Sequence, residues 1–157
     1  MNADKHRAKA ERIGQTLAKC RPAEDHEVII DGVMLAASHW VNTVLHSSGL
    51  TPEHVDFMHS YYLAPYDRQN TARVAGPELL DALEEIENLR PLHVRGAAPG
   101  GEAAALRALE LLRVVRETAA RFAGPGSGGP ARDLALNFLV GVAGVLDIRA
   151  QSLGDLR

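Results

Sequence analysis

The sequence predicts an all-α protein, an up-and-down bundle of about five to six helices. Three observations predict it. Hydrophobic residues make up 46% of the 157-residue chain and aromatics only 4%, a balance rich in Ala and Leu that suits helix-on-helix packing better than a β-sandwich. Residues 24–48 carry apolar side chains at the helical repeat over a long stretch. Proline and glycine fall where such helices would begin and end.

Taken in order, residues 3–20 read as a modestly amphipathic helix with apolar positions Ala8, Ile13, Leu17 and Ala18, stopped at Arg21-Pro22. In residues 24–48, Ile29, Val33, Ala36, Trp40 and Val44 share one face, and Ile30, Met34, Ala37 and Val41 widen it. Asp31, Ser38, His39, Asn42 and His46 gather opposite, and Gly49 closes the helix. Thr51 as N-cap and Pro52 at the first position predict a short helix to about Tyr62. Residues 64–76 read as a long connection with at most one helical turn. Pro77 opens a helix whose buried stripe is Leu79, Leu80, Leu83 and Ile86, stopped at Arg90-Pro91.

A strong helix follows over 102–122, with Ala105, Ala108, Leu109 and Leu112 inward and Arg107, Glu110, Arg113 and Glu117 outward. Glycine-rich loops are expected near 95–101 and 123–130. The last helix, from Pro130 to about residue 152, is apolar almost all round, with Gly141 and Gly144 leaving room for close approach. A homodimer through that helix is the expectation. The whole chain, 1–157, reads as a single helical-bundle domain.

A formal charge of −3 gives no basic field for nucleic acid. The single cysteine, Cys20, excludes an intramolecular disulfide framework and a cysteine-rich zinc site. The charged N-terminus lacks a signal-peptide core, and no uninterrupted apolar run spans a bilayer, so a cytoplasmic protein without membrane attachment is expected. The glycine-rich pieces match no P-loop, and there is no GxSxG elbow. No cofactor is expected.

Three groups of residues carry candidate chemistry. The first is HWVNTVLH, where His39, Asn42 and His46 form a polar stripe, either exposed or lining a dimer groove. His39 and His46 lie two turns apart, about 10.5 Å along the axis, too far to share one ion. There is no HExxH pair, so a metal site would have to gather Asp31, His39, His59 or Asp56 from different elements. The second is RPLHVRG, where Arg90, His93 and Arg95 suit a phosphate or carboxylate. Its alternative is a helix C-terminus carrying the cations its dipole favours. The third is YYLAPYDRQNTAR, where Tyr61, Tyr62 and Tyr66 with Arg68 and Arg73 offer stacking and phosphate contacts. Its alternative is a loop with the tyrosines packed beneath it and their hydroxyls wet.

The segment MLAASHWVNTVLHSSGL followed by His54 resembles the HEPN family, whose members are small helical bundles, often dimeric. The resemblance covers residues 5–122 and rests on pattern. Catalytic members carry an arginine, about four to six residues, then a histidine late in the bundle. Here Arg90 and His93 stand closer together, and Arg21 to His26 comes too early. The resemblance therefore implies a non-catalytic, dimeric module that binds a nucleotide or a partner protein. Two alternatives stand beside it: a metal-assisted hydrolase using the His-rich region, and a ribonuclease with a degenerate Arg90/His93 site.

Overall fold

The central element is α2, His26–Ser47. Fourteen of its residues, from Ile29 to Leu45, are buried, because α1 (Ala3–Leu17), α4 (Glu78–His93) and α5 (Gly101–Ala120) all pack against it. The structure is a computed structural model that describes residues 1–122. Within them lie five α-helices and one 3₁₀ turn, Ser60–Tyr62, and no strand. The all-α bundle is as the sequence predicts. The expected loop at 123–130, the last helix and the dimer contact through it lie outside the described residues.

The core is built from α2 outward. Ile29, Ile30, Val33, Val41, Val44 and Leu45 meet Leu79, Leu83 and Ile86 of α4 and Val115 of α5, all fully buried. Burying each such side chain contributes roughly 1.5–3 kcal/mol. α2 is long and apolar enough to cross a bilayer, but 78% of its apolar window is buried by the other helices, which reads as a core helix. Gly32 lets α1 lie close to it: a Cβ there would come within 2.7 Å of Leu17 Cδ2.

α1 turns inward differently from the sequence reading. Its buried line is His6, Ala10 and Leu17, with Ile13 half-buried, while Ala8 and Ala18 face solvent. The spacing of four, three and four residues is a helical stripe, and its first member is a histidine.

Three boundaries also differ. Residues 51–59 form a loop instead of a helix. The backbone N–H groups of Leu50 and Thr51 donate to Leu45 O and close the end of α2. The Thr51 hydroxyl is engaged with His46 Nδ1 and so is lost as an N-cap. Residues Pro65–Ala75 form a full helix, α3, where a connection was expected. Pro65 fits its first turn, and Gly76, at φ 96°, ends it. α3 buries only Thr71 and Ala75, too few positions for a visible stripe. Finally, α4 continues through Pro91 to His93. Pro91 lies in the last turn, so it forfeits one helical bond rather than breaking the helix.

Candidate metal centre

Three elements converge beside the N-terminal half of α1. His6 comes from the inward face of α1, His39 and His46 from α2, and Asp56 from the loop after α2. His6 Nε2 lies 3.1 Å from Asp56 Oδ1, and His46 Nε2 lies 3.2 Å from the same oxygen. One ligand atom from each of His6, His46 and Asp56 falls within 4.8 Å of the other two. The side chains of His6 and His46 are 1% exposed and that of Asp56 is 37% exposed. The carboxylate is therefore the solvent side of an otherwise buried cluster. The Met1 amino group also donates to Asp56 Oδ1, at 2.9 Å.

The loop is fixed from α2. Asn42 Nδ2 donates to Phe57 O at 2.6 Å, and Phe57 N donates to Asn42 Oδ1 at 2.9 Å. Ser38 Oγ donates to Met58 O at 2.7 Å. Two small polar residues one turn apart on α2 thus grip the backbone next to Asp56.

Each histidine of the cluster has its other nitrogen held. His6 Nδ1 is 2.8 Å from His39 Nδ1, and His46 Nδ1 is 3.0 Å from Thr51 Oγ1. Both partners, an imidazole and a hydroxyl, are able to donate or accept, and Thr51 O, which only accepts, lies 3.3 Å from His46 Nδ1 and favours Nδ1–H there. With Nε2–H of His6 and His46 donating to Asp56, their Nδ1 atoms accept. With Nε2 presenting a lone pair, their Nδ1–H groups donate instead. The surroundings therefore serve both a hydrogen-bonded and a metal-ligating state of the same imidazoles. His39 Nε2 is buried with no partner.

The electrostatics follow from burial and from Asp56. Burial pushes His39 down to about 4, helped by the charge of Lys9 and by His6. Burial also lowers His6, against the hydrogen bond and charge of Asp56. Burial alone would raise Asp56, but hydrogen bonds from the Met1 amine, His6 and His46 outweigh it and hold the carboxyl at about 2. Near neutral pH the cluster thus combines a carboxylate with neutral His39 and His6.

The sequence-derived sites are redistributed. Asp31, His39 and His59 do not form a metal set: Asp31 pairs with Arg90, His59 Nδ1 lies 3.3 Å from Glu87, and His39 supports His6. The stripe of His39, Asn42 and His46 is neither exposed nor open to a groove, because α1 and the 51–59 loop cover it. Asn42 is a structural clamp. Arg90 is occupied by Asp31, and it and His93 sit in the last turn of α4, the helix-end reading of that motif. Arg95 is exposed just beyond. Tyr61, Tyr62 and Tyr66 are exposed rather than packed beneath their loop, with Tyr61 stacked on His59. Of the candidates, His46 and Asp56 reach the cluster. His6 was missed because it reads as part of a charged segment. Its place on the line His6–Ala10–Ile13–Leu17 was the available signal.

Comparison with known proteins gives no match to any family, characterised protein or solved structure.

Proposed function

We propose that this protein is a metal-dependent helical bundle in which His6, His46 and Asp56 hold one divalent transition-metal ion for hydrolytic chemistry. The observation that carries the reading is the convergence of two imidazole nitrogens on one carboxylate oxygen, at 3.1 and 3.2 Å. With metal–ligand bonds of about 2.0–2.2 Å, neighbouring ligand atoms in octahedral or tetrahedral sites lie roughly 2.8–3.6 Å apart. Both nitrogen–oxygen pairs have that spacing, and the three ligand atoms together lie within 4.8 Å of one another.

Two imidazoles and a carboxylate suit zinc or a similar borderline ion and leave coordination positions open. Zinc there would supply a bound water acidic enough to attack near neutral pH. The chain's own residues supply the rest. His39 and Thr51 orient the imidazoles, the buried helices exclude water on one side, and exposed Asp56 marks the side a substrate approaches. We prefer this reading to the nucleotide- or partner-binding module and the Arg90/His93 ribonuclease because His6, His46 and Asp56 converge whereas Arg90 is paired with Asp31.

The test is calorimetric titration of the chelator-stripped full chain with Zn²⁺ and Co²⁺, with His46→Ala and Asp56→Asn alongside. Binding of one ion per chain, weakened at least tenfold by either substitution, is expected. A chain that takes up no ion at micromolar concentration, or whose variants bind as well as wild type, ends the metal reading. Metal-dependent cleavage across a panel of ester, amide and phosphoester substrates would then establish the hydrolytic part.

A further inference from the structure

Away from the metal cluster, three tyrosines stand together on the surface. Tyr61, Tyr62 and Tyr66 are 65%, 62% and 72% exposed, and Met58 just before them is exposed too. A tyrosine ring is a large apolar surface, so three left in water along one short stretch form a patch that folding does not use. The patch is held in shape. Ser60 N and Ser60 Oγ donate to Glu87 at 2.7 and 2.6 Å, Arg68 donates to Ser60 O at 3.2 Å, and Leu63 is buried. Tyr61 lies nearly parallel to His59, with ring centres 4.9 Å apart. Tyr62 lies 4.5 Å from Tyr61, the two rings inclined by 53°. A surface ordered in this way costs a ligand little further ordering.

We propose that this patch docks a proline-rich segment of a partner protein in the polyproline II conformation. Three arguments select this partner. The first is shape. Rings inclined by 53° present an angle rather than one flat platform. A pyrrolidine ring packs into the angle between aromatic faces, whereas successive bases need faces they can stack on. The second is hydrogen bonding. Glu84 is taken by Arg68 and Glu87 by Ser60. What the patch and its rim still offer are chiefly donors: the tyrosine hydroxyls, the Gln69 amide, Arg73 and Arg95. Arg73 and Arg95 are exposed and make no ion pair among the described residues. A polyproline helix has no N–H at its prolines and leaves its carbonyls free, so its acceptors suit these donors.

The third is charge. Around the tyrosines, Arg68, Arg73 and Arg95 are balanced by Asp67, Glu84 and Glu87. The patch therefore has no net charge with which to hold a polyanion, and an uncharged stretch of prolines meets no opposing field. The spacing of the rim also fits. Tyr66 and Arg73 share the exposed face of α3, about 10.5 Å apart along its axis, close to the roughly 9.3 Å turn of a polyproline helix. A carboxylate one turn beyond the prolines is thus in position for Arg73, which fixes the direction of the segment.

The experiment titrates the full chain into two fluorescein-labelled synthetic peptides and reads anisotropy. One is a run of about eight prolines, and the other is the same run followed by two alanines and a glutamate. Saturable binding of both is expected, tighter for the glutamate peptide. Tyr61→Ala and Tyr62→Ala should each weaken both peptides at least about fivefold, and Arg73→Ala should remove only the advantage of the glutamate. These side chains are exposed, so the variants are expected to keep the wild-type circular dichroism and melting. No saturation at about 1 mM chain, or equal binding by the tyrosine variants or of a glycine-serine peptide of the same length, would overturn the proposal. Preference for a labelled oligothymidylate over either peptide would overturn it too, by giving the patch to nucleic acid. Sedimentation velocity of the bare chain supplies the last reading. A dimer abolished by Tyr61→Ala and unaffected by the peptides would give the patch to a second copy and end the proline-rich assignment.

Discussion

Replacing Asn42 by leucine separates the clamp from the core. Asn42 is 1% exposed, and its amide both gives a hydrogen bond to and takes one from the Phe57 backbone. Leucine fills similar volume, so little cavity is created, but both bonds to the loop are lost. Each is worth about 1 kcal/mol net, and a backbone group left buried without a partner costs about 1–3 kcal/mol more. Phe57 is only half-buried, so the loop recovers part of this by lifting into water. The expected loss is about 2–4 kcal/mol. At about 3 °C per kcal/mol for a domain of this size, Tm falls by roughly 6–12 °C. Because Phe57 adjoins Asp56, the same substitution is expected to weaken Zn²⁺ binding about tenfold. Differential scanning calorimetry and metal titration read the two effects. A Tm within about 1 °C of wild type together with unchanged zinc affinity would refute the clamp reasoning.

Further outcomes follow from the same geometry. Zinc at about a hundred times its dissociation constant should stabilise the folded chain by about 2.7 kcal/mol, raising Tm by roughly 8 °C in a thermal melt, with a rise of at most about 4 °C for His46→Ala at the same zinc concentration. In the metal-free protein, stability should fall as pH drops from 6.5 toward 4. His39, at about 4 in the fold, stays neutral there while the unfolded chain takes up its proton, a difference of about 2 kcal/mol between pH 7 and pH 5 that urea titrations at those two values would expose and that His39→Gln would reduce. His6 is lowered in the same direction. Asp56 acts in a lower window: its carboxyl, at about 2, adds stability above the ordinary carboxylate value that disappears as pH falls through about 2. Glu87→Ala should cost about 1.5–3 kcal/mol in chemical denaturation, because Glu87 is only 11% exposed and accepts from both Ser60 N and Ser60 Oγ at the 3₁₀ turn.

The sequence by itself determined the all-α class and the interior of α2, α4 and α5. Those helices bury a long stripe of large apolar side chains, and a repeat near 3.6 residues survives in the one-dimensional order of the chain. It also brought attention to HWVNTVLH as chemically unusual. It did not reveal α3, where only Thr71 and Ala75 turn inward, or the loop after Thr51, where one histidine nitrogen takes the hydroxyl that would have capped a helix. Only the tertiary structure decided the candidate site. His6 and His39 are 33 positions apart, and His46 and Asp56 are joined through a loop gripped by Asn42. Whether such residues meet depends on how α1 crosses α2, which rests on the fit of Leu17 against Gly32 and on the side of α1 that buries His6. Local periodicity marks which face of a helix is buried, but the choice of neighbour for that face belongs to the packing of the whole core.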